Sequence, residues 1–284
     1  MRSKNLWIKL IAVLLIVASM VTLAVSCDSD DSGDDGNDSG YDSGIRAEDL
    51  TPSEDLTFTL TTDKKGYKLK SASKCKDEQI VIPSTYAEEG KEPLPVTEIA
   101  SGAFKSNTKT LVAVYIPDSV TKITGGTTGA FEGCKSLTTV VCGSGLVEIG
   151  NRTFVNCANL KYVTLREGLK KVGSYAFAGC ENLETMVFPD SVETIGEACF
   201  QRCARMTSIT FGKNTKKIGD FALYFCKNIS TVKFNGTVKE WKKIDPDVSI
   251  FLSVTMTDVV KCSDGEYDLP ELEGQNTLPV PDDI

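Results

Sequence analysis

Ten cysteines and no histidine define the chemistry open to this chain of 284 residues. Histidine is the commonest general base and the commonest metal ligand, so its absence removes every Ser-His-Asp and Cys-His arrangement. Five cysteines, Cys134, Cys157, Cys180, Cys203 and Cys226, stand 23 residues apart. Structural zinc needs four ligands converging on one tetrahedral point, usually from Cys-x-x-Cys pairs, whereas even spacing sets the thiols along a line. Glu148, Glu167 and Asp220 are isolated carboxylates at different places in the same interval. Glycoside cleavage needs two carboxylates at a defined separation across a cleft, so these three read as solvated surface charge. No catalytic residue, metal site or cofactor is expected. The chain reads as a protein that acts by binding rather than as an enzyme.

The start of the chain says where it acts. Arg2, Lys4 and Lys9 precede an apolar run from Leu10 to Ala18, and small residues lead up to Cys27, so residues 1–26 have the three parts of a signal peptide. A retained membrane helix is the alternative, because the apolar stretch approaches the length of a bilayer span. Ala24-Val25-Ser26-Cys27 resembles the lipobox of bacterial lipoproteins, with Ala24 in place of the more usual leucine. That resemblance implies lipidation of Cys27 and a membrane anchor there. Residues 27–55 carry a net charge of −10 and have little to bury, so a disordered acidic tether is expected. Acidic residues directly after a lipidated cysteine also resemble the surface-export signal of some Gram-negative lipoproteins. The implied location is the cell surface, as an outer-membrane lipoprotein. A second acidic stretch, the tail 266–284, carries −6, which leaves residues 56–265 at only +5. That charge is too dilute for nucleic-acid binding, which needs a dense basic stripe.

The elements that must carry any binding surface follow from the repeat. Beside the cysteines, Leu137, Leu160, Leu183, Met206 and Ile229 keep the same step of 23, as do Ile149, Val172, Ile195 and Ile218, and Cys142, Leu165, Phe188, Phe211 and Phe234. Within one unit, Met206-x-x-Ile209-x-Phe211 alternates as a half-buried strand does, and Pro189-Asp190-Ser191 breaks the strand before it. Val192 to Cys203 then returns on the opposite side, expected as a short extended piece followed by one or two helical turns. A unit this short cannot bury its own apolar residues, so units must stack and share a core. The expectation is an α/β fold: a right-handed, horseshoe-like leucine-rich-repeat solenoid with a parallel sheet of one short strand per repeat and short helical turns opposite.

Ile116-Pro117-Asp118-Ser119-Val120-Thr121-Lys122-Ile123 and Ala176-Phe177-Ala178-Gly179-Cys180-Glu181-Asn182-Leu183 resemble the BspA-like leucine-rich-repeat family of bacterial surface proteins. Tyr67 to Pro83 resembles the family's opening segment, and Gly236 to Trp241 with Val260 to Gly265 its closing segment. The resemblance covers roughly residues 56–265. The organisation expected is a signal peptide (1–26), tether (27–55), N-terminal cap with a degenerate first repeat (56–112), repeats (113–235), C-terminal cap (236–265) and acidic tail (266–284). Insertions at Ala87–Pro95 and within Thr124–Gly129 are expected to bulge outward, since their polar backbone needs water.

Stacked turns lie about 5 Å apart, close enough to tempt neighbouring cysteines into disulfides. The recurrent position is an inward slot suited to a small apolar side chain, so a buried, reduced ladder is preferred and disulfides are the alternative. Cys142 falls in a core strand slot, while Cys75, Cys199 and Cys262 are less constrained by the pattern.

If Val140 and Cys142 point inward, Thr139 and Val141 point outward. Repetition gives a possible ligand face of Tyr115, Val141, Thr164, Val187, Thr210 and Lys233, flanked by Ala113, Thr139, Tyr162, Thr185, Ser208 and Thr231. Threonine and valine also favour any exposed sheet. Trp241 is expected to cap the core rather than stack on a sugar. The expected function is surface-displayed binding or adhesion toward an undetermined host or environmental protein or glycan, with a self-associating envelope component as the alternative. Replacing Cys27 by alanine should abolish incorporation of labelled fatty acid and release the chain from membranes; continued labelling and membrane retention would remove the anchor assignment.

Overall fold

The computed structural model describes residues 47–244 and 259–269. The stretch read as a signal peptide, Cys27, the stretch read as a tether up to residue 46 and the tail from residue 270 lie outside the described residues. The N-terminal cap supplies β1 (Thr57–Leu60), β2 (Tyr67–Ser71), β3 (Gln79–Val81), β4 (Thr85–Tyr86) and β5 (Leu94–Ile99). Each turn then adds a longer strand and a two-residue strand: β6 (Ala113–Ile116) and β7 (Lys122–Ile123), β8 (Thr139–Cys142) and β9 (Glu148–Ile149), β10 (Tyr162–Thr164) and β11 (Lys171–Val172), β12 (Thr185–Val187) and β13 (Thr194–Ile195), β14 (Ser208–Phe211) and β15 (Lys217–Ile218). After β16 (Thr231–Phe234) come helix α1 (Val238–Ile244) and, past residue 258, β17 (Val259–Cys262) and β18 (Gly265–Asp268).

The longer strands stack in parallel as two sheets, β3-β6-β8-β10 and β12-β14-β16-β17, the second finished by antiparallel β18. The short strands stack as a third, β2-β5-β7-β9-β11-β13-β15, finished by antiparallel β1, with β4 folded back on β5. Terminal antiparallel strands cover edges that would otherwise offer unpaired backbone to another chain.

Between the sheets runs one continuous core. Phe104, Phe131, Phe154, Phe177 and Phe200 form a column with successive ring centroids 4.3, 5.0, 5.1 and 5.4 Å apart and planes within 16° of parallel. Beside it lies the cysteine column, and the thiols have a specific acceptor. Cys157 Sγ donates to the Phe131 carbonyl at 3.1 Å, Cys180 to Phe154 at 3.3 Å, Cys203 to Phe177 at 3.3 Å and Cys226 to Phe200 at 3.1 Å. Each of these phenylalanine carbonyls therefore lies within reach of a thiol from the next turn. All nine described cysteines are free, and burial pushes the Cys134 and Cys142 thiols up to about 12. Asn107 starts the column, and its longer amide reaches the Ala72 and Cys75 carbonyls of the cap at 3.2 and 3.3 Å.

The helical turns expected opposite the longer strands are not there; α1 is the one α-helix among the described residues, and the stack is a parallel β-solenoid rather than an α/β one. The return arm contains two left-handed positions per turn, Arg152 and Asn156, Tyr175 and Gly179, Ala198 and Arg202, Phe221 and Phe225. These reversals break a helical run and direct alternate N–H groups into the next turn. Arg152, Phe154 and Asn156 donate to the carbonyls of Ser174, Ala176 and Ala178 at 2.9, 2.7 and 2.8 Å. Between-turn bonds have replaced the i to i−4 bonds of a helix.

Close stacking also requires glycine after the short strands β9, β11, β13 and β15. A Cβ on Gly173 would lie 2.4 Å from the Asn151 nitrogen, and one on Gly196 2.3 Å from that of Ser174. The first insertion becomes the exposed turn of the β4–β5 hairpin. Part of the stretch read as tether is attached: Ala47 is buried, the Glu48 carboxylate accepts the Asp118 N–H at 2.8 Å, and Ser53 donates its N–H to the Val81 carbonyl at 2.9 Å. Likewise β18 extends into the stretch read as acidic tail.

Leu160 is fully buried in this core. Leu160→Ala should cost about 2–5 kcal/mol in denaturant melts and loosen the adjacent turns in hydrogen exchange. Unchanged melting would show that the core register is wrong.

Candidate binding face

Outward positions on the longer strands line up as the repeat requires. Val81, Tyr115, Val141 and Thr164 are in register across β3, β6, β8 and β10, and Val187, Thr210, Lys233 and Lys261 across β12, β14, β16 and β17. The two runs belong to separate sheets, which divide between β10 and β12.

The halves differ in exposure, and the expectation of one open column needs correcting. Tyr115 and Val141 are each 2% exposed and Thr164 5%, yet none belongs to the central core. β6 and β8 are buried at all four positions, whereas β14 and β16 alternate. Their composition suits a covered position. Ala-Val-Tyr-Ile and Thr-Val-Val-Cys carry apolar groups on both faces, the pattern of a strand withdrawn from water on two sides. Burial also holds the Tyr115 phenol above its ordinary range. In the second half Val187 and Thr210 are half-buried and Lys233 is exposed, and Tyr162 on the flanking column is half-buried. The positions of this surface that water reaches are therefore Thr185, Val187, Ser208, Thr210, Thr231 and Lys233 rather than the first three members of the column.

Other singled-out residues have separate roles. Trp241 is 3% exposed and packs at 5.9 Å from the Phe211 ring and 5.4 Å from that of Phe234, closing the core as expected. The Glu167 carboxylate accepts the N–H groups of Asp190 and Ser191 at 2.9 and 3.0 Å, holding the following turn. Among the described residues, no cluster of cysteine and carboxylate side chains is placed to hold a metal ion, and no helix is long and apolar enough to cross a membrane.

Glu148 belongs to a feature that core periodicity did not announce. Across the short-strand sheet, Lys68, Glu98, Lys122, Glu148, Lys171, Thr194 and Lys217 occupy one register column. Lys68 and Glu98 meet at 2.7 Å, and Glu148 meets Lys122 at 2.9 Å and Lys171 at 3.4 Å. In the adjoining column Glu193 meets Lys216 at 2.7 Å and Lys170 at 3.3 Å. Hydrogen bonding to Lys122, aided by the charges of Lys122 and Lys171, lowers the Glu148 carboxyl below its ordinary value; Lys216 and Lys170 do the same for Glu193. The signal was legible as alternating charge at the residue before each Ile or Val of the short strands.

Residues 127–244 match the family described as BspA type Leucine rich repeat region, in six copies. Among solved structures, a leucine-rich-repeat protein of T. pallidum is 26% identical over 64% of this chain and 70% of its own, with a TM-score of 0.46. A leucine-rich cell surface protein of Faecalibacterium prausnitzii is 22% identical over 65% of this chain and 54% of its own, with a TM-score of 0.48. A leucine-rich-repeat protein of Bacteroides ovatus is 22% identical over 66% of this chain and 55% of its own, with a TM-score of 0.48. The chain thus spans little more than half the length of the last two. No curated protein matches.

A carboxylate with a lowered pKa in the folded state stabilises above its unfolded value and loses that contribution as pH falls through the folded value. Stability should therefore fall on acidification from the ordinary carboxyl value of 4.5 downward, and Glu148→Gln should flatten that part of the profile. Thermal melts from pH 6 to about pH 3 test this; an unchanged acid slope in the variant would show that the ladder contributes nothing.

Proposed function

We propose that this chain, whose residues 127–244 match a BspA-type leucine-rich-repeat region, is an exported protein held at a bacterial cell surface that acts by binding a protein or glycan. The observation that carries this reading is the open half of the longer-strand surface. There a rigid, continuously packed stack presents Thr185, Thr210, Thr231 and Lys233 to solvent or near it, in fixed register. Curved repeat surfaces of this kind commonly serve as extended binding faces, because each turn offers a new side chain at a constant position. The N-terminal signal pattern and Cys27 support export and a lipid anchor, with the acidic stretch after Cys27 as a spacer. That arrangement suits adhesion, with the anchor in an outer membrane.

The competing reading, a self-associating envelope component, requires accessible strand edges. It is disfavoured at the edges covered by β1 and β18, which lie antiparallel over the ends of two sheets, and by the Ser53 contact on β3, while β15 ends its sheet with no further strand paired to it among the described residues.

An array of immobilised matrix proteins, mucins and glycans, probed with the full chain, tests the binding reading. Retention by at least one class is expected, weakened about tenfold or more by Thr210→Arg with Lys233→Glu. Failure across all classes, together with concentration-dependent oligomers in sedimentation, would transfer the case to self-association.

A further inference from the structure

The charge ladder on the short-strand sheet alternates lysine and glutamate until its last three positions, where Lys171 and Lys217 flank Thr194 instead of an acidic residue. Glu148 shows what a middle position does: from between Lys122 and Lys171 its carboxylate reaches both ammonium groups. Thr194 has no such reach. Lys171 is left with its longer contact to the shared Glu148, and Lys217 is exposed and has no ion pair among the described residues. The neighbouring acid does not fill the gap, because Glu193 is engaged by Lys170 and Lys216 in its own column.

The same three residues line a cleft of about 540 Å³. Its size falls within the roughly 300–1,000 Å³ typical of small-ligand sites. Gly196 and its equivalents in the adjacent turns lie along it without side chains, and Glu197 and Asp220 line it further along their turns. The cleft therefore offers two cations and a hydroxyl at one place and carboxylate acceptors at another. A polyphosphate or nucleic acid would set its charge against Glu197 and Asp220. A ligand with one carboxylate and several hydroxyls satisfies both parts, since hydroxyls donate to carboxylates and a carboxylate accepts from ammonium groups.

We propose that the cleft over Thr194 is a binding site for a carboxylate-bearing sugar, whose acid group takes the ladder position between Lys171 and Lys217 that a glutamate occupies elsewhere. The site is on the short strands, apart from the longer-strand face, so its failure would leave the broader binding reading standing. The uronates of polysaccharides and the sialates of glycoproteins share this chemistry.

Calorimetric titration of the full chain with an oligogalacturonate, its methyl ester and an N-acetylneuraminate oligomer tests the site. Binding of either acid is expected, which also identifies the source, and the neutral ester should not bind. Lys217→Ala should weaken binding about tenfold. Thr194→Glu should complete the ladder and abolish binding without lowering the melting temperature. Lys135→Ala, at an exposed lysine outside both the cleft and the longer strands, should bind as the parent does. The proposal is overturned if neither acid binds, if the ester binds as well as the acid, if Thr194→Glu remains folded and binds normally, or if Lys135→Ala weakens binding as much as Lys217→Ala.

Discussion

Backbone hydrogen bonds between parallel strands hold successive turns about 4.8 Å apart, and that spacing governs what each position of the turn accepts. Aromatic rings stack well at such a separation, which is why phenylalanine recurs in the core with centroids 4.3 to 5.4 Å apart. Where the backbone of one turn passes directly over the last, even a Cβ is too large, and glycine occupies positions such as 173 and 196. A thiol is small enough for the slot beside the ring and can still donate to the carbonyl of the preceding phenylalanine. Cysteine in this protein is thus a packing residue with a hydrogen-bonding duty. A buried carbonyl gains a donor, and the thiol, pushed far above its ordinary pKa, stays protonated and able to give it.

Inside the stack the constraint is the same at every turn, so sequence variation is confined to the outside. The longer-strand surface is apolar and withdrawn from solvent over β6 and β8 but polar and open over β14 and β16. The short-strand surface carries alternating charges that pair between turns rather than within them. Both are columns, because a residue on a solenoid has its nearest outward neighbours above and below it, not beside it in sequence. A binding property of such a molecule belongs to a column of residues spaced one repeat apart.

Several elements were legible before the structure. The inward strand positions, the capping role of Trp241, the outward bulge at residues 87–95 and the register of the outward strand positions were all read from the sequence. The return arm was misread as helical because its composition, Ala-Cys-Phe-Gln-Arg-Cys in one repeat, suits a helix locally. Most of its left-handed residues are not glycine: Ala198, Arg202, Tyr175 and Phe221 all adopt positive φ. Local propensity lost to hydrogen bonds between turns. The covered half of the longer-strand face was written in the unbroken apolar runs of residues 113–116 and 139–142, a signal that strict alternation leads one to overlook.

The sequence by itself determined the repeat length, the four inward columns that begin at Cys134, Leu137, Cys142 and Ile149 and the exclusion of histidine-dependent chemistry, because these rest on residue type and on a period that a stacked chain cannot violate; the phenylalanine column beside the thiols emerged only with the structure. Only the tertiary structure decided which carbonyl each thiol meets, which half of the outward face water reaches, and that Lys171, Thr194 and Lys217 share one cleft. Those outcomes depend on distances between residues that are 23 or more positions apart in the chain and come together only when the turns are stacked.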